Sequence, residues 1–393
     1  MRDEDLRAQL DAWLRPIRDL SAPDFAVIRR RLRRRRARTA AACLVAVAVV
    51  PGVAVAVLLP AASPPGTTRP AASATFSGIL DGVAATSARN AWAVGSNGSG
   101  GTMILHWDGI GWMSVPSPSP AISSSLYGVA AISKSDAWAV GSAGQLDSRT
   151  LILRWDGGAW TQAPSPSPSA DDVLFGVAAV SVGDAWAVGS YGGDTHSRTL
   201  ILHWDGTAWE QVPSPSPGSN DQLSAVTAVS STSAWAVGRT GSGKTLILRW
   251  DGTAWTRVPS PSPPGNSHLY GVAALSARDA WAVGSSGARS LILHWNGTTW
   301  TQVPSPSPGE PVLFGVAVAK SNSAWAVGYH QTGGRAFILH WNGTAWRQAT
   351  TPAGWPILRG VAVTSGQSAW AVGQTAALPP KTLIEHWDGK VWE

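Results

Sequence analysis

The chain has 393 residues, a formal net charge of +6 and a sequence pI near 9.9. Such a balance often indicates a nucleic-acid partner. The charge is uneven, however, because residues 1–38 hold 12 Arg and six acids, whereas residues 39–393 hold 18 cations and 18 acids. The single Cys excludes an intrachain disulfide framework and a zinc site built from Cys pairs.

The N-terminal 38 residues are predicted to form an α-helical, Arg-rich stub. Apolar residues recur at helical spacing from Leu6 to Ile17, and a second helix is expected to begin near Pro23. Eight Arg follow between residues 29 and 38. The position of this cluster beside an apolar run favours contact with anionic lipid over contact with nucleic acid.

An uncharged run from Ala40 to Leu59 predicts a transmembrane helix over residues 39–60, because 20 helical residues span about 30 Å, the thickness of a bilayer core. The Arg cluster before it places the N-terminus in the cytoplasm and the rest outside. A cleaved signal peptide ending near Ala62 is the alternative, although a charged segment of this length is long for one. Residues 61–77 are predicted to be a flexible stalk.

From residue 78 to the end the chain repeats a unit of 44 to 49 residues seven times. Each unit carries three Trp, so the repeat explains 21 of the 23 Trp in the chain. The first lies in Ala-Trp-Ala-Val-Gly, at Trp92, Trp138, Trp186, Trp235, Trp281, Trp325 and Trp370. The second ends an apolar strand, at Trp107, Trp155, Trp204, Trp250, Trp295, Trp341 and Trp387. The third follows five residues later, at Trp112, Trp160, Trp209, Trp255, Trp300, Trp346 and Trp392.

Each unit reads as four short strands without helical periodicity, which predicts an all-β fold: a seven-bladed β-propeller with four-stranded blades, over residues 78–393. Strands three and four of each blade meet at Asp-Gly or Asn-Gly, a sequence typical of two-residue hairpins. That geometry places Trp204 opposite Thr207 and Leu202 opposite Trp209. Both Trp are then expected to face, and pack on, the next blade.

Five units continue into Pro-Ser-Pro-Ser-Pro, beginning at Pro116, Pro164, Pro213, Pro259 and Pro304. Because proline cannot donate to a strand ladder, the tract is expected to end the outer strand and protect its edge. Recognition of the tract by a partner is the alternative. The last unit stops at Glu393, so ring closure requires either a short final strand or pairing by residues 72–77.

The segments Ala-Trp-Ala-Val-Gly and His-Trp-Asp-Gly-Thr-Ala-Trp resemble the Trp-rich propeller repeats of bacterial cell-surface proteins. They are distantly similar to Asp-box (BNR) and photosystem II assembly-factor propellers, although the spacing from Asp108 to Trp112 is one residue shorter than in the Asp-box. The resemblance implies a fold and no particular activity. The stub resembles, over a short stretch, the cytoplasmic stubs of single-pass membrane proteins encoded near extracytoplasmic-function sigma factors.

No catalytic, cofactor or metal site is predicted. Five His precede the strand-three Trp, but their equivalent positions on different blades place them far apart, which favours packing over metal binding. They are His106, His203, His294, His340 and His386. Asn296 and Asn342 replace the Asp of the turn, an exchange that a turn tolerates and a general acid does not.

Residues that differ between the units are the candidate ligand contacts, and they are expected on one face of the ring. They are Tyr191, His196, Arg239, Tyr329, His330, Arg335 and Trp355. Trp355 lies in a linker that lacks the proline tract, where it serves either as a contact anchor or as a cover for the seam between the last two blades.

These features favour a membrane-anchored, extracytoplasmic binding module, non-catalytic and with a monomeric ectodomain, for a cell-surface or wall-associated protein or glycan. No nucleic-acid partner and no cofactor are expected. Two alternatives stay open: a signalling protein whose stub contacts a cytoplasmic regulator such as a sigma factor, and a surface hydrolase.

Overall fold

The computed structural model describes residues 76–145, 147–351 and 356–393. The predicted stub, the predicted transmembrane helix and the stalk up to residue 75 lie outside this range, so they stay predictions. Within the range, no helix is long and apolar enough to cross a membrane.

The described residues form seven antiparallel sheets, each made of strands consecutive in the chain. Blade 1 contains β1 (Gly78–Ser87), β2 (Asn90–Asn97), β3 (Thr102–Trp107) and β4 (Trp112–Ser114). Blade 2 contains β5 (Ser124–Ala131), β6 (Ala137–Ala143), β7 (Arg149–Trp155) and β8 (Trp160–Ala163). Blade 3 contains β9 (Val173–Ser181), β10 (Asp184–Tyr191), β11 (Arg198–Trp204) and β12 (Trp209–Gln211), with a short helix α1 (Gly193–His196) between β10 and β11.

The other blades repeat this plan. Blade 4 contains β13 (Gln222–Ser230), β14 (Ser233–Arg239), β15 (Thr245–Trp250) and β16 (Trp255–Arg257). Blade 5 contains β17 (Ser267–Ser276), β18 (Asp279–Ser286), β19 (Arg289–Trp295) and β20 (Trp300–Gln302). Blade 6 contains β21 (Pro311–Lys320), β22 (Ser323–His330), β23 (Ala336–Trp341) and β24 (Trp346–Gln348). Blade 7 contains β25 (Ile357–Ser365), β26 (Ser368–Gln374) and β27 (Thr382–Trp387).

The first strands of neighbouring blades contact one another all round, including β25 against β1, so the ring is closed. The seven-bladed propeller is therefore confirmed. Its core is a set of seven apolar clusters, each lying between two successive blades. The middle strands are buried on both faces, which explains why they read as continuous apolar runs.

Trp triads join the blades. Trp186 of β10 lies with its ring centroid 4.8 Å from that of Trp250 and 5.2 Å from that of Trp255, both in blade 4, and its contact with Trp255 is T-shaped. The same triad recurs at each boundary, and Trp370 of blade 7 closes the ring on Trp107 and Trp112 of blade 1. The strand-three and strand-four Trp thus pack on the preceding blade, not on the next one.

The His before the strand-three Trp stacks on the strand-two Trp of its own blade. His203 lies 4.1 Å from Trp186 between ring centroids, and its Nε2 contacts Asp184 Oδ1 at 2.9 Å. In blade 2, Arg154 takes this place, 5.0 Å above the Trp138 ring and 3.1 Å from Asp136. The five His are therefore packing residues, each in a different blade. In the described part of the chain no group of three or more His, Cys, Asp and Glu could hold a metal ion.

The turn between strands three and four has four residues, so the predicted two-residue hairpin is wrong. Trp204 pairs directly with Trp209, and Leu202 pairs with Gln211. The Asp205 side chain stabilises this four-residue turn, because its Oδ1 accepts hydrogen bonds from the backbone N–H groups of residues 207 and 208. Asn296 Oδ1 accepts the equivalent bonds, which explains the exchange of Asp for Asn.

The proline tract is fastened to its own blade. Thr199, the second residue of β11, forms a hydrogen bond with the hydroxyl of Ser214 at 2.7 Å and donates to the carbonyl of Pro215. All five blades that carry the tract share this contact, with Ser290 in place of Thr in blade 5. Blade 6 has Ala336 at the Thr position and also lacks the tract, so the two features occur together.

Blade 7 closes by both routes that the sequence left open. Trp387 forms a bridge with Trp392, which makes a very short fourth strand. In addition, the Phe76 N–H donates to Thr382 Oγ1, and Thr382 N–H donates to the Phe76 carbonyl. Ser77 also forms a bridge with Lys381. Phe76 and Ser77, which the sequence assigns to the stalk, therefore occupy the place that the proline tract takes in other blades.

A buried carboxyl group interrupts the core of blade 7. Glu385 stands where the other six blades have Leu, on the side of β27 that faces blade 6, and burial raises its pKa to about 7. Because the folded protein binds this proton more tightly than the unfolded chain, stability is lost as pH rises from about 4.5 to about 7.

We expect Glu385→Leu to stabilise the protein, and to do so by about 3 kcal/mol more at pH 8 than at pH 4, because Leu carries no carboxyl to ionise. Chemical unfolding at the two pH values measures this difference. Glu210→Leu, on an exposed outer strand, is the matched control for the exchange of Glu for Leu. A gain from Glu385→Leu that is the same at both pH values contradicts the prediction.

Candidate functional site

A β-bulge at the same place in all seven inner strands directs one side chain per blade towards the centre of the ring. In β1 the pairing with β2 shifts between Leu80 and Gly82, so Asp81 is left outside the ladder. A bulge re-aims a side chain without breaking the strands on either side of it. The seven bulged residues, here called the bulge ring, are Asp81, Tyr127, Phe175, Ser224, Tyr270, Phe314 and Arg359.

The residues on either side of the bulge are nearly constant, whereas the bulged residue is not. Leu precedes it in every blade, and Gly follows it in all blades except blade 4, which has Ala225. A Cβ on Gly128 would lie 2.9 Å from the Phe175 carbonyl oxygen of the next blade, so the absence of a side chain permits close approach of the strands. The repeat therefore conserves the frame of the ring and varies the group that it presents.

The bulge ring lines a central cavity of about 410 Å3. Seven Val side chains, one from each inner strand, also line the cavity and make part of its wall apolar. Gln222 and His268 add polar groups on one side. We call the bulge ring together with Gln222 and His268 the channel mouth. The volume of the cavity falls within the range of about 300–1,000 Å3 that is usual for ligand pockets.

Two aromatic pairs occupy the channel mouth. Tyr127 and Phe175 lie 5.5 Å apart between ring centroids, and Tyr270 and Phe314 lie 5.2 Å apart in a T-shaped contact. All four are half-buried. Phe314 also stacks on Tyr329, at 5.7 Å and nearly parallel. The aromatic surface thus continues from the channel mouth to the end of β22.

An ion pair lies where the first and last blades meet. Arg359 Nη1 is 3.3 Å from Asp81 Oδ1, its Nη2 donates to Gln374 Oε1, and its guanidinium carbon lies 5.8 Å from the Phe314 ring centroid. Burial raises the pKa of Asp81 to about 6, although the Arg359 charge opposes the rise. The environment of this carboxylate is therefore less favourable to its charge than water is.

A neutral dyad lies on the other side of the ring. Ser224 Oγ and His268 Nε2 are 2.8 Å apart across the boundary of blades 4 and 5. Burial and the nearby Arg239 charge lower the pKa of His268 to about 3. An imidazole that resists protonation in this way is a poor general base for a serine nucleophile. No described carboxylate forms a hydrogen bond with His268 to orient it.

Of the residues predicted as ligand contacts, Arg239 and Tyr329 lie beside the channel mouth. Tyr329 stacks on Phe314, as described above. Arg239 pairs with Gln222 in the ladder, and its charge acts on both His268 and Tyr270.

The other predicted contacts lie elsewhere on the same loop face. Tyr191 packs against the core between blades 2 and 3, and His330 is held in its turn, where Nδ1 contacts the Pro308 carbonyl at 2.6 Å. His196 and Arg335 are exposed residues of the loops between strands two and three. Trp355 lies outside the described residues.

The channel mouth itself was not among the sequence-based predictions. Tyr127, Phe175, Tyr270 and Phe314 occupy one position of the repeat, which by itself favours packing. The available signal was the motif Leu-x-Gly-Val, which is constant apart from Ala225 in blade 4 and in which x takes polar, aromatic and charged residues. Variation at one fixed position within a constant frame distinguishes a presented side chain from a packed one.

Comparisons with known proteins bear on the fold. No protein-family model matches the chain, and no curated sequence matches it. A structure of YCF48 bound to D1 peptide is similar with a TM-score of 0.54 and 15% identity, over 78% of this chain and 93% of that one. The structure of YCF48 from Cyanidioschyzon merolae is similar with a TM-score of 0.53 and 15% identity, over 80% of this chain and 97% of that one. A chain of a mitotic checkpoint complex crystal structure is similar with a TM-score of 0.57 and 12% identity, over 85% of this chain and 100% of that one. These identities show a shared fold and leave the function open.

The dyad generates a test of the hydrolase alternative. We expect a fluorophosphonate probe, which labels activated serines, to leave Ser224 unlabelled, because His268 cannot readily take its proton. Fluorescence after gel electrophoresis and peptide mass spectrometry measure the labelling, with a known serine hydrolase as the positive control. Labelling that is present in the wild type and lost in Ser224→Ala contradicts the prediction.

Proposed function

We propose that the propeller is a non-catalytic recognition module that binds a cell-surface or wall-associated protein or glycan at its channel mouth. The observation that carries the proposal is the bulge ring: seven nearly identical strands present seven side chains of differing chemistry to one cavity. An arrangement that served packing alone would not require this variety, because a single residue type would fit all seven equivalent places.

The neighbours in fold support a binding role without identifying the ligand. One of them is a structure of YCF48 bound to D1 peptide. The low pKa of His268 also supports a non-catalytic role, since the Ser–His pair most similar to a catalytic dyad lacks an effective base.

The proposed setting is the outer side of a cell membrane, with the N-terminus in the cytoplasm and one transmembrane helix over residues 39–60. The support for this topology is the uncharged run from Ala40 to Leu59 and the Arg cluster before it. The propeller is then held near the membrane by a stalk, in a position to meet envelope components.

Capture of envelope material tests the binding role. We expect the full chain in lipid nanodiscs to retain a component of cell-envelope fractions, and Tyr127→Ala and Phe314→Ala each to weaken retention by about tenfold, because aromatic contacts dominate interfaces of this kind. Biolayer interferometry measures the retention. Treating the fraction with protease or with periodate distinguishes a protein from a glycan.

Thr161→Ala, on the exposed outer strand of blade 2, is the control and leaves retention unchanged. The proposal is wrong if the two channel variants retain the same component as strongly as the wild type.

Site-specific labelling tests the topology. The only native Cys is Cys43, inside the predicted span, so an added Cys reports on its own location. We expect a membrane-impermeant maleimide to label Thr161→Cys in intact cells, and Ala8→Cys only after permeabilisation. The reverse pattern, or protection of both sites in intact cells, contradicts the proposed orientation.

A further inference from the structure

The channel mouth has the chemistry of a sugar site, an inference that rests on the proposed binding function and names its ligand class. Its charges are the first constraint. Arg359 neutralises Asp81, His268 is neutral near pH 7, and Arg239 stands close by. Aromatic rings alone would suit a cationic ligand. The site nevertheless disfavours one, because it offers no negative charge that is not already paired.

The second constraint is unused hydrogen-bonding capacity. Of the five N–H donors of Arg359, one meets Asp81 and one meets Gln374, and its buried Nε has no partner in the part of the chain that the structure describes. Among the described residues, the Asp81 carboxylate accepts only the contact from Arg359, although such a group has room for about four. A purely apolar ligand would leave these groups buried without partners, which is costly.

The third constraint comes from the ion pair. At every boundary a Trp triad already joins the blades, and Trp370 does so between blades 7 and 1. The six other boundaries pack without an ion pair between neighbouring residues of the bulge ring. Because the raised pKa of Asp81 shows that burial outweighs the attraction of Arg359, the pair is not explained by stability.

The geometry then brings an apolar face and a polar edge together. Phe314 lies under the Arg359 guanidinium and beside Tyr270, and Asp81 follows on the other side of Arg359. A pyranose ring has one face of C–H groups that packs on aromatic rings and a rim of hydroxyls that both donate and accept hydrogen bonds. It is neutral, and one unit is small enough for a cavity of about 410 Å3.

We propose that the channel mouth binds one neutral pyranose unit of a glycan, with the apolar face of the sugar on Tyr270 and Phe314 and its hydroxyls on Asp81 and Arg359. Vicinal hydroxyls suit this pair, because one donates to the carboxylate while the other accepts from the guanidinium. Ser224 and His268, on the other side of the ring, supply a second polar contact.

Titration with simple glycosides tests the proposal. The full chain is reconstituted in nanodiscs, which avoids sugar-based detergents that would compete. Methyl pyranosides of glucose, galactose, mannose, xylose and N-acetylglucosamine are titrated by isothermal calorimetry and by saturation-transfer NMR. We expect at least one of them to bind at a single site, and Asp81→Asn and Phe314→Leu each to weaken it by about tenfold or more.

Asp156→Asn is the matched control, because Asp156 lies in an exposed turn whose equivalents Asn296 and Asn342 already carry this exchange. It leaves sugar binding unchanged. Thermal unfolding of every variant separates loss of the site from loss of the fold, and Arg359→Gln repeats the test from the other side of the ion pair.

Two outcomes overturn the sugar assignment: no pyranoside binds the folded wild type, or the bound pyranoside is indifferent to all three channel variants. Failure of the sugar assignment can be distinguished from failure of the proposed function. If the channel variants lose an envelope protein while no pyranoside binds, the recognition role stands and the ligand class is wrong.

Discussion

The contact on which the rest of the structure depends is the Trp triad at each blade boundary. A strand-two Trp is buried between the His or Arg of its own blade and two Trp of the next blade, as Trp186 is between His203, Trp250 and Trp255. Each large aromatic side chain removes much apolar surface from water, and edge-to-face geometry adds to this. Since the contact crosses from one blade to the next, no blade is complete alone, and the ring is the smallest unit in which every triad is formed.

This dependence explains where the sequence can vary. Positions that serve the triads and their turns repeat almost without change, and substitutions there keep the same bonds, as Asn296 does in place of Asp. The bulged residue is different, because it lies outside the ladder and its neighbours on both sides complete the pairing without it. Packing of the ring and the chemistry of the cavity are therefore assigned to separate positions of one repeat. A seven-fold scaffold can then carry a site that has no symmetry.

The sequence was sufficient for the fold and insufficient for the site, for physical reasons. Spacing of Trp and alternation of strands predict the blades, because burial has the period of the strand. The hairpin register was predicted wrongly, because the Asp205 side chain stabilises a four-residue turn that the Asp-Gly pair alone does not indicate. The channel mouth was missed because a bulge changes the direction of one side chain, which the alternation of a regular strand does not indicate. The predicted contacts Arg239 and Tyr329 lie next to it, since both stand in the last two residues of the second strand of a blade.

The join between blades 7 and 1 brings ring closure and the proposed binding site together. Closure itself is supplied by Trp370 and by the residues Phe76 and Ser77, which hold β27 in the way that a proline tract holds other blades. Asp81 and Arg359 meet at this boundary yet are not needed for it, because six equivalent boundaries close without such a pair. A carboxylate that burial disfavours is a local cost that a hydrogen-bonding ligand would offset. The two ends of the repeat array thus supply the most polar part of the channel mouth, at the place where the blades that meet are farthest apart in sequence.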